Sequence, residues 1–524
     1  MHVDFSPPSP GRITTFLTAD EEAQDIRKSE DEANAIHFFL FINPHSGDQQ
    51  GAQILDLNLG LICFKSLPNV RVHVYSLVDD TECGNGLSSA KTIMAHKEQL
   101  GLNPQIHICC AGGDGSLTGL LPKIEERGID VNNIMFSLLP FGTGNDLARF
   151  LGTWSIDKKA AKDIMRSGHL RHLVYKQIRG RPVKLDVWNI HVTTFDGGSI
   201  RPVSDKRQEN EENFPSEIFQ KLLNNGAIGA QCYVGGDAER LRTDNRVANI
   251  ASYTIQTIKW GLFKSFSSVT SMLDRIEQFG DVVAYVRQDK YRKRRFSISN
   301  GRSLSSVGDR KTPDDTDRHA DEPEDDSATK LRPVIINSNA IELVFQNIPS
   351  LWGRMLNLWN RAESGSAIDL NEADHHPGIA EGVDPSKWHK QESCDGEFEL
   401  FILENKLSYV KKELAINRTD LARIGHFKQA SIVFRNLAEV QNNPSIPKRV
   451  QSSFSLNGPS QPYRESRKDS VRIMMDGEFF IVHKPKAIHI TFWKQINIMG
   501  PPDENVDCEA DFSSEGSEAE APSP

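Results

Sequence analysis

Three short turns combine glycine with hydroxyl, amide and carboxylate side chains. The first holds Gly112, Gly113, Asp114, Gly115 and Ser116, the second holds Gly142, Thr143, Gly144, Asn145 and Asp146, and the third holds Asn43, Ser46 and Gly47. Glycine lets backbone N–H groups approach a phosphate without a Cβ in the way, and a helix that follows such a turn points its positive end at the same place. Neither a Walker A loop nor a dinucleotide fingerprint is present. One such turn alone is commonly only a tight turn, but three predict a cradle for nucleotide phosphates.

Acidic residues supply the other half of a phosphoryl-transfer site. Transfer to an alcohol needs a positioned nucleotide, charge neutralisation by Mg²⁺ and a base near the hydroxyl. Asp114 lies inside the first turn and suits the organisation of Mg²⁺-ATP or the orientation of ribose and phosphate; whether it binds the metal directly stays open. Asp476-Gly477-Glu478 is the best candidate for the base, and its alternative is an acidic surface turn. The similar Asp395-Gly396-Glu397 is read as a structural turn.

The elements around the three turns alternate between strand and helix. Short apolar runs at 36–44, 70–77, 105–111 and 133–141 predict strands, and the spacing at 88–101, 116–128 and 145–152 predicts helices. This alternation is typical of right-handed βαβ units around a parallel sheet. Ligands of such sheets collect outside the carboxyl ends of the strands, which is where all three turns fall.

The second half of the chain has a different pattern. Its apolar segments are mostly short and strand-like, at 183–192, 227–234, 334–348, 398–405, 430–436, 470–478 and 487–492. The sequence therefore predicts an α/β fold with an N-terminal Rossmann-like parallel domain and a larger, sandwich-like β-rich domain. We expect a disordered tail at 1–33, an ATP-binding domain at 34–168, a β-rich domain at 169–500 and a disordered acidic tail at 501–524. Polar insertions are expected near 264–330, 361–392 and 440–468.

Composition excludes several other classes of protein. The net charge of −10 argues against a general nucleic-acid binder. The seven cysteines include no C-x-x-C pair, which argues against a structural zinc module, and no histidine shows the spacing of a metal ligand. No apolar run has the length of a membrane span, and the polar N-terminus is unlike a secretory signal. We therefore expect a soluble, intracellular protein.

The motifs resemble the diacylglycerol kinase family of the eukaryotic type. The segments "NPHSG", "CCAGGDGSLTGLL" and "LLPFGTGNDLARFLG" are similar to its catalytic domain, and "VKLDVW", "NNGAIG", "NIPSLWG" and "MDGEFFIVHKP" are similar to its accessory region. By this resemblance, Glu478 matches a glutamate that accepts the proton in bacterial lipid kinases of the same superfamily. Three departures stand out: "GGDGS" in place of "GGDGT", "IPSLWGRML" in place of a small-residue stretch near the acceptor site, and the absence of zinc-bound lipid-binding modules and EF-hand loops.

The resemblance implies an ATP- and Mg²⁺-dependent kinase that converts 1,2-diacyl-sn-glycerol to phosphatidate at a membrane surface, in lipid signalling and phospholipid metabolism. It would be cytoplasmic and associate transiently with membranes; protein partners are unknown. The alternatives are a sphingoid, ceramide or other kinase with the same nucleotide cradle, and an inactive regulator that binds lipid or nucleotide.

Three weaker features keep two readings each. The segment 254–269 has the spacing of a helix with lysines beside it; we expect it to face the core, and docking on a membrane is the alternative. The basic run 290–297 ends at Ser297, so it is either a lipid contact switched by phosphorylation or simply a solvated loop or localisation tag. Asp186 either orders the domain interface or only ends a strand.

Overall fold

A computed structural model of the 524-residue chain provides the structure. It describes residues 34–46, 50–56, 58–142, 145–153, 169–203, 214–241, 243, 246–264, 266, 268–286, 334–336, 340–351, 354–361, 384, 387–403, 405–413, 421–436 and 469–502. The expected tail at 1–33, most of the acidic tail, the basic run at 290–297, the insertion at 440–468 and much of the other two insertions lie outside these residues. Among the helices that the structure describes, none is long and apolar enough to cross a membrane.

The N-terminal part is built on a parallel sheet. Strand β1 (Ile36–Ile42) lies between β3 (Leu67–Ser76) and β4 (Ile106–Gly112), β4 pairs with β5 (Ile134–Pro140), and all of these pairings are parallel. A short β2 (Leu61–Phe64) adds an antiparallel edge to β3. The central strands are almost fully buried because helices cover both faces of the sheet, as parallel sheets require. The helices are α1 (Gln50–Leu55), α2 (Asp80–Gln99), α3 (Asp114–Glu126), α4 (Asp146–Phe150) and α5 (His169–Ile178).

The β-rich part begins with a long strand and continues as mainly antiparallel pairs. Its strands are β6 (Pro182–Pro202), β7 (Glu217–Leu222), β8 (Asn225–Gly229), β9 (Leu273–Gln278), β10 (Asp281–Val286), β11 (Val334–Ile336), β12 (Glu342–Gln346), β13 (Ser350–Leu351), β14 (Arg354–Met355), β15 (Phe398–Leu403), β16 (Leu421–Phe427), β17 (Gln429–Phe434), β18 (Ser470–Met475) and β19 (Glu478–Met499). Its helices are α6 (Ala230–Glu239), α7 (Arg246–Leu262), α8 (Leu358–Arg361) and α9 (Lys406–Glu413).

Two rows of strands fold over a shared core in this part. One row runs β16-β15-β12-β8-β18-β19, and a second runs β19-β17-β9-β10-β11. Strand β6 pairs with β19, and β7 pairs with β6. Trp188, Ile276, Phe345, Ile432 and Ile488, from five different strands, are buried in one cluster. The predicted fold class, an α/β domain followed by a β-rich domain, is confirmed.

Strand β19 joins the two parts. Its 22 residues pair with β6 over most of their length, and near its end Asn497 and Ile498 pair in parallel with Met135 and Phe136 of β5. Three register shifts interrupt its pairing with β6, and such bulges bend a strand. One strand therefore begins at Glu478 and ends in the sheet that carries the glycine-rich turns.

One predicted strand is wrong in its second half. The run 227–234 was expected to be a single strand, but β8 ends at Gly229 and α6 follows at once. Gly229 has a φ of 112°, a conformation that favours glycine, and a Cβ there would lie 2.2 Å from the carbonyl oxygen of Ile341. The chain turns at this glycine, and an apolar run alone cannot distinguish a buried strand from a buried helix.

Candidate active site

The first two glycine-rich turns lie directly against each other. The amide N–H groups of Phe141 and Gly142 donate to the carbonyl oxygen of Gly112. A Cβ added to Gly142 would lie 2.5 Å from the Cα of Gly113, a separation at which the backbones would have to move apart. Glycine at 142 therefore permits this close approach.

The third turn joins the other two at the same edge of the sheet. The amide of Asn43 donates to the carbonyl oxygen of Ala111 (2.9 Å), and its side-chain amide donates to Oγ of Ser116 (3.5 Å). A Cβ on Gly112 would lie 2.1 Å from Oγ of Ser116 and 3.2 Å from Oγ of Ser46. The structure thus brings together those predicted phosphate-binding residues that it describes. Gly47, Thr143 and Gly144 lie outside the described residues.

Asp114 links the first turn to the helix that follows the second. It is the first residue of α3, and its carboxylate accepts the amides of Asp146 (2.6 Å) and Leu147 (3.3 Å) at the start of α4. Burial, followed by the negative charge of Asp146, raises the pKa of Asp114 to about 8, and Asp476 adds to the effect. Among the described residues, the charged groups that shift this pKa are therefore both acidic.

The second turn is held by its own side chains and by the β-rich part. Asn145 has a left-handed backbone (φ 51°), and its side-chain amide donates to the carbonyl oxygens of Gly142 (2.6 Å) and Pro140 (3.3 Å). Oδ1 of Asn145 is buried and has no hydrogen-bond partner among the described residues. Oδ1 of Asp146 accepts the hydroxyl of Ser350, in the β13–β14 hairpin (2.7 Å). The departure at "IPSLWGRML" therefore falls beside this turn; Trp352 and Gly353 lie outside the described residues.

Asp476 anchors the turn that carries Glu478. Met475 pairs with Glu478 across a two-residue hairpin in which Asp476 and Gly477 both have positive φ, at 45° and 86°; Asp-Gly is typical of such a turn. The buried carboxylate accepts the amides of Leu223 (2.7 Å), Asn224 (2.9 Å) and Asn225 (3.1 Å). Burial raises the pKa of Asp476 to about 7 against these three hydrogen bonds.

Glu478 lies next to the first glycine-rich turn. A Cβ on Gly115 would lie 3.5 Å from its Oε1, and the side-chain amide of Gln220 donates to its Oε2 (2.7 Å). Surrounding protein atoms remove part of its hydration and raise its pKa; the bond from Gln220 opposes this, and the negative charge of Glu239 adds to it. The predicted base and the predicted phosphate turn are therefore neighbours, although 362 positions separate Glu478 from Ser116.

Two residues of this site were missed by the sequence analysis. Ser350 lies in a segment that was noted only for its departure from the family pattern, and that departure was the available signal. Gln220 lies 258 positions from Glu478 on β7, in a segment that shows no motif. No local pattern predicts that contact, because the hairpin of β18 and β19 creates it.

Asp186 and the second acidic tripeptide belong to a separate cluster. Asp186 lies inside β6, fully buried, and its carboxylate accepts the amide of Gly396 (2.7 Å) and the side-chain amide of Gln495 (3.0 Å). It does not end a strand; it orders the loop that carries Asp395 and Glu397.

Three residues near that loop could offer ligands to a metal ion. Atoms of His389, Glu397 and His426 lie within 4.8 Å of one another, with 3.2 Å between Nε2 of His389 and Oε2 of Glu397. The two imidazoles are stacked with their centroids 4.0 Å apart. The spacing of histidines along the sequence did not indicate this grouping, because β16 brings His426 to the loop.

Comparisons with known proteins agree on the N-terminal part. Residues 37–178 match the family model of the diacylglycerol kinase catalytic domain. Diacylglycerol kinase 1 of Arabidopsis thaliana is 25% identical over 213 residues, covering 36% of this chain and 26% of that protein. Diacylglycerol kinase 1 of Drosophila melanogaster is 30% identical over 164 residues (31% of this chain, 11% of that protein), and human diacylglycerol kinase iota is 28% identical over 155 residues (29% and 12%). The aligned part of the chain thus spans about a tenth to a quarter of the length of these relatives.

Proposed function

We propose that the chain, whose residues 37–178 match the catalytic domain of the diacylglycerol kinase family, transfers the γ-phosphate of ATP to the free hydroxyl of 1,2-diacyl-sn-glycerol. The hydroxyl oxygen forms a bond to the γ-phosphorus, the bond to the β-phosphate oxygen breaks, ADP leaves, and the product is phosphatidate. The observation that carries the proposal is the position of Glu478 beside Gly115, which sets a carboxylate against a phosphate-binding turn.

The three turns at 43–47, 112–116 and 142–146 hold the nucleotide in this proposal. The N-terminus of the 13-residue α3 faces the phosphates, and the packing of Gly113 on Gly142 keeps two of the turns in register. The hydroxyls of Ser46 and Ser116 and the amide of Asn43 lie together beside them. These groups position the phosphoryl group for attack in line with the leaving oxygen.

The buried carboxylates fit a divalent cation. Asp114, Asp146 and Asp476 supply oxygen atoms, which are the ligands that Mg²⁺ prefers. Asp146 and Asp476 both raise the pKa of Asp114, and this mutual repulsion is what a bound cation relieves. When bound, Mg²⁺ neutralises charge on the β- and γ-phosphates. We assign Asp114 the central part in holding Mg²⁺-ATP.

Glu478 is the proton acceptor in this proposal. Its raised pKa makes its carboxylate a stronger base than an ordinary glutamate, and Gln220 fixes Oε2 so that Oε1 points toward Gly115. The lipid hydroxyl then lies between Glu478 and the γ-phosphate. Because its acceptor is a membrane lipid, we propose that the enzyme works from the cytoplasm at the membrane surface.

The experiment is transfer of label from [γ-³²P]ATP to a panel of lipids in mixed micelles: diacylglycerol, monoacylglycerol, sphingosine and ceramide. We expect labelled phosphatidate from diacylglycerol. Asp114→Asn lowers the rate by about 10²-fold or more, whereas Asp281→Asn, at an exposed aspartate of β10, leaves it unchanged. Label in a sphingoid lipid alone overturns the substrate, and bound ATP with no labelled lipid overturns the kinase activity.

A further inference from the structure

An apolar surface formed by α7, α9 and the residue that follows α7 stands out in the β-rich part. Its members are Ile255 (60% exposed), Ile258 (51%), Phe263 (80%) and Leu407 (60%). The apolar stripe of this helix was expected to face the core, and for Ile255 and Ile258 that expectation is wrong. The polar Gln256 and the ring of Trp260 are buried instead. We refer to these four residues as the α7–α9 face.

The two helices of the α7–α9 face are fixed to each other and to the core. The ammonium group of Lys406 donates to the carbonyl oxygen of Lys264, and a Cβ on Gly261 would lie 3.2 Å from Cγ2 of Val410. On the inner side, Trp260 and Tyr409 belong to one buried cluster. The exposed side chains are therefore held outward by a packed inner side and do not contribute to that core.

Basic residues surround the α7–α9 face. Lys259 is exposed on α7, and Lys264, Lys406 and Lys411 lie at the junction of the helices or along α9. The 17 residues of α7 include no acidic residue, and the acidic residue of α9, Glu413, is buried. This local positive charge contrasts with the net charge of −10 for the chain. Apolar side chains among lysines complement a bilayer that contains anionic lipids.

Helix α6 packs against both α7 and the strand that carries the proposed base. Asp237 of α6 accepts Nε1 of Trp260 (2.9 Å) and Nζ of Lys264 (3.3 Å), at the end of α7 from which Phe263 projects. On the same helix, a Cβ on Gly235 would lie 2.1 Å from the ring of Phe479, the residue after Glu478. Helix α6 therefore connects the α7–α9 face to the acceptor side of the site.

We propose that the α7–α9 face docks on the surface of an anionic bilayer and presents the lipid hydroxyl to Glu478. Phe263 and Leu407 enter the region between headgroups and acyl chains, while the exposed Lys259 contacts anionic headgroups. Helix α7 lies along the surface, as amphipathic helices of peripheral proteins do. The inference rests on the proposed function for its purpose, but vesicle binding is measurable without any turnover.

The first test is binding of the full chain to vesicles of phosphatidylcholine with and without phosphatidylserine. Phe263→Ser with Leu407→Ser is expected to weaken binding to the serine-containing vesicles by about tenfold or more. The matched control is Phe279→Ser with Leu100→Ser, which changes the same residue types at exposed positions (64% and 43%) outside the α7–α9 face. The proposal is overturned if the two double variants bind the vesicles equally well. It is also overturned if the parent binds neither kind of vesicle.

The second test addresses charge. Lys259→Glu is expected to weaken binding to serine-containing vesicles several-fold and to reduce its dependence on salt, since each basic residue near the surface adds electrostatic attraction. Lys65→Glu, at an exposed lysine on the N-terminal part, is expected to change neither. Parent binding that is equally strong without phosphatidylserine contradicts the electrostatic part. Capture by a protein partner with no vesicle binding also overturns the proposal.

A third test separates docking from chemistry. With a short-chain diacylglycerol dissolved as monomers, Phe263→Ser with Leu407→Ser is expected to match the parent in kcat, whereas with long-chain diacylglycerol in vesicles it falls by about tenfold. If the double variant matches the parent with both substrates, the docking proposal is overturned and the proposed kinase activity stands. A parent that binds vesicles but phosphorylates neither substrate overturns the proposed function and leaves the docking surface standing.

Discussion

The chain contains the tripeptide Asp-Gly-Glu twice, and the structure treats the two copies differently. At 476–478 it forms a two-residue hairpin whose aspartate is buried and whose glutamate lies beside Gly115. At 395–397 it precedes β15, and its glutamate pairs with His389 (3.2 Å) and Lys428 (3.8 Å). The aspartates differ as well. Asp476 accepts hydrogen bonds from three backbone N–H groups at 223–225, whereas Asp395 accepts one from the backbone N–H of Glu397.

Strand pairing, rather than the local motif, decides which of the two glutamates lies beside a glycine-rich turn. Strand β18 pairs with β8. This pairing places the hairpin at 476–478 against the connection between β7 and β8 and beside α3. The loop at 395–397 is instead tied to Asp186 of β6. The same three residue types thus serve catalysis in one place, as we propose, and architecture in the other.

The largest expected difference between the two copies is in catalysis. Glu478→Gln removes the proton acceptor and is expected to lower kcat by about 10²- to 10⁴-fold. Glu397→Gln removes a partner of His389 and is expected to keep kcat within about twofold of the parent, since exposed pairs contribute little. Steady-state transfer to diacylglycerol measures both. Similar losses in the two variants would remove the distinction drawn here.

The next largest difference is in stability and its dependence on pH. Asp476→Asn sets the side-chain NH2 of asparagine, a donor, against the N–H of Leu223 and is expected to cost about 1–3 kcal/mol in the free energy of unfolding at pH 4.5. The pKa of Asp476 is about 7 in the folded protein, above its unfolded value, so the folded parent binds the extra proton and loses stability as pH rises toward 7. The asparagine variant has no such loss, and the gap between the two proteins should narrow by pH 7.5.

Urea unfolding at the two pH values measures this gap, and Asp395→Asn at pH 4.5 is the control for the cost of the substitution. A gap that widens with pH would contradict the sign of the shift at Asp476. A cost at 395 as large as that at 476 would mean that the three amide bonds are not what distinguishes the two aspartates.

The two glycines offer a comparison in which stability is equal and activity is not. Gly477 and Gly396 have positive φ (86° and 77°), and a Cβ on either would meet no heavy atom within 4 Å. Alanine at either position is therefore expected to cost about 1 kcal/mol from the backbone alone. Only Gly477→Ala should also lower kcat, because it shifts the neighbouring Glu478. Thermal unfolding and kcat separate the two effects, and unequal unfolding costs would count against the backbone explanation.

The smallest expected effect concerns Gln220, a positioning residue. Its hydrogen bond stabilises the ionised form of Glu478 and lowers its pKa, so Gln220→Leu raises that pKa further. The acid limb of the pH profile of kcat should move to higher pH, with a loss of a few-fold below the limb and little loss above it. Gln429→Leu, at a half-buried position of β17, should leave the profile unchanged. A uniform loss at every pH would indicate a merely structural role.

How far the sequence predicts the molecule depends on the distance between contacting residues. The three turns were predictable because the glycines at 112–116 and 142–146 and the strand and helix on either side of them are local signals. A parallel sheet then places the ends of its strands at one edge. The contacts of Glu478 with Gln220 and Gly115 depend on pairings between distant strands, which only a resemblance could anticipate. Helix α6 was missed because Gly229, and not periodicity, ends the preceding strand.

The central claim is that Glu478 takes the proton while the three turns hold the nucleotide. The most direct test is a rapid-quench single turnover of labelled ATP with diacylglycerol, run with equilibrium ATP binding on the same Glu478→Gln and Glu397→Gln proteins. We expect both variants to bind ATP like the parent and only Glu478→Gln to form labelled phosphatidate slowly. Formation of phosphatidate at the parental rate by Glu478→Gln would contradict it.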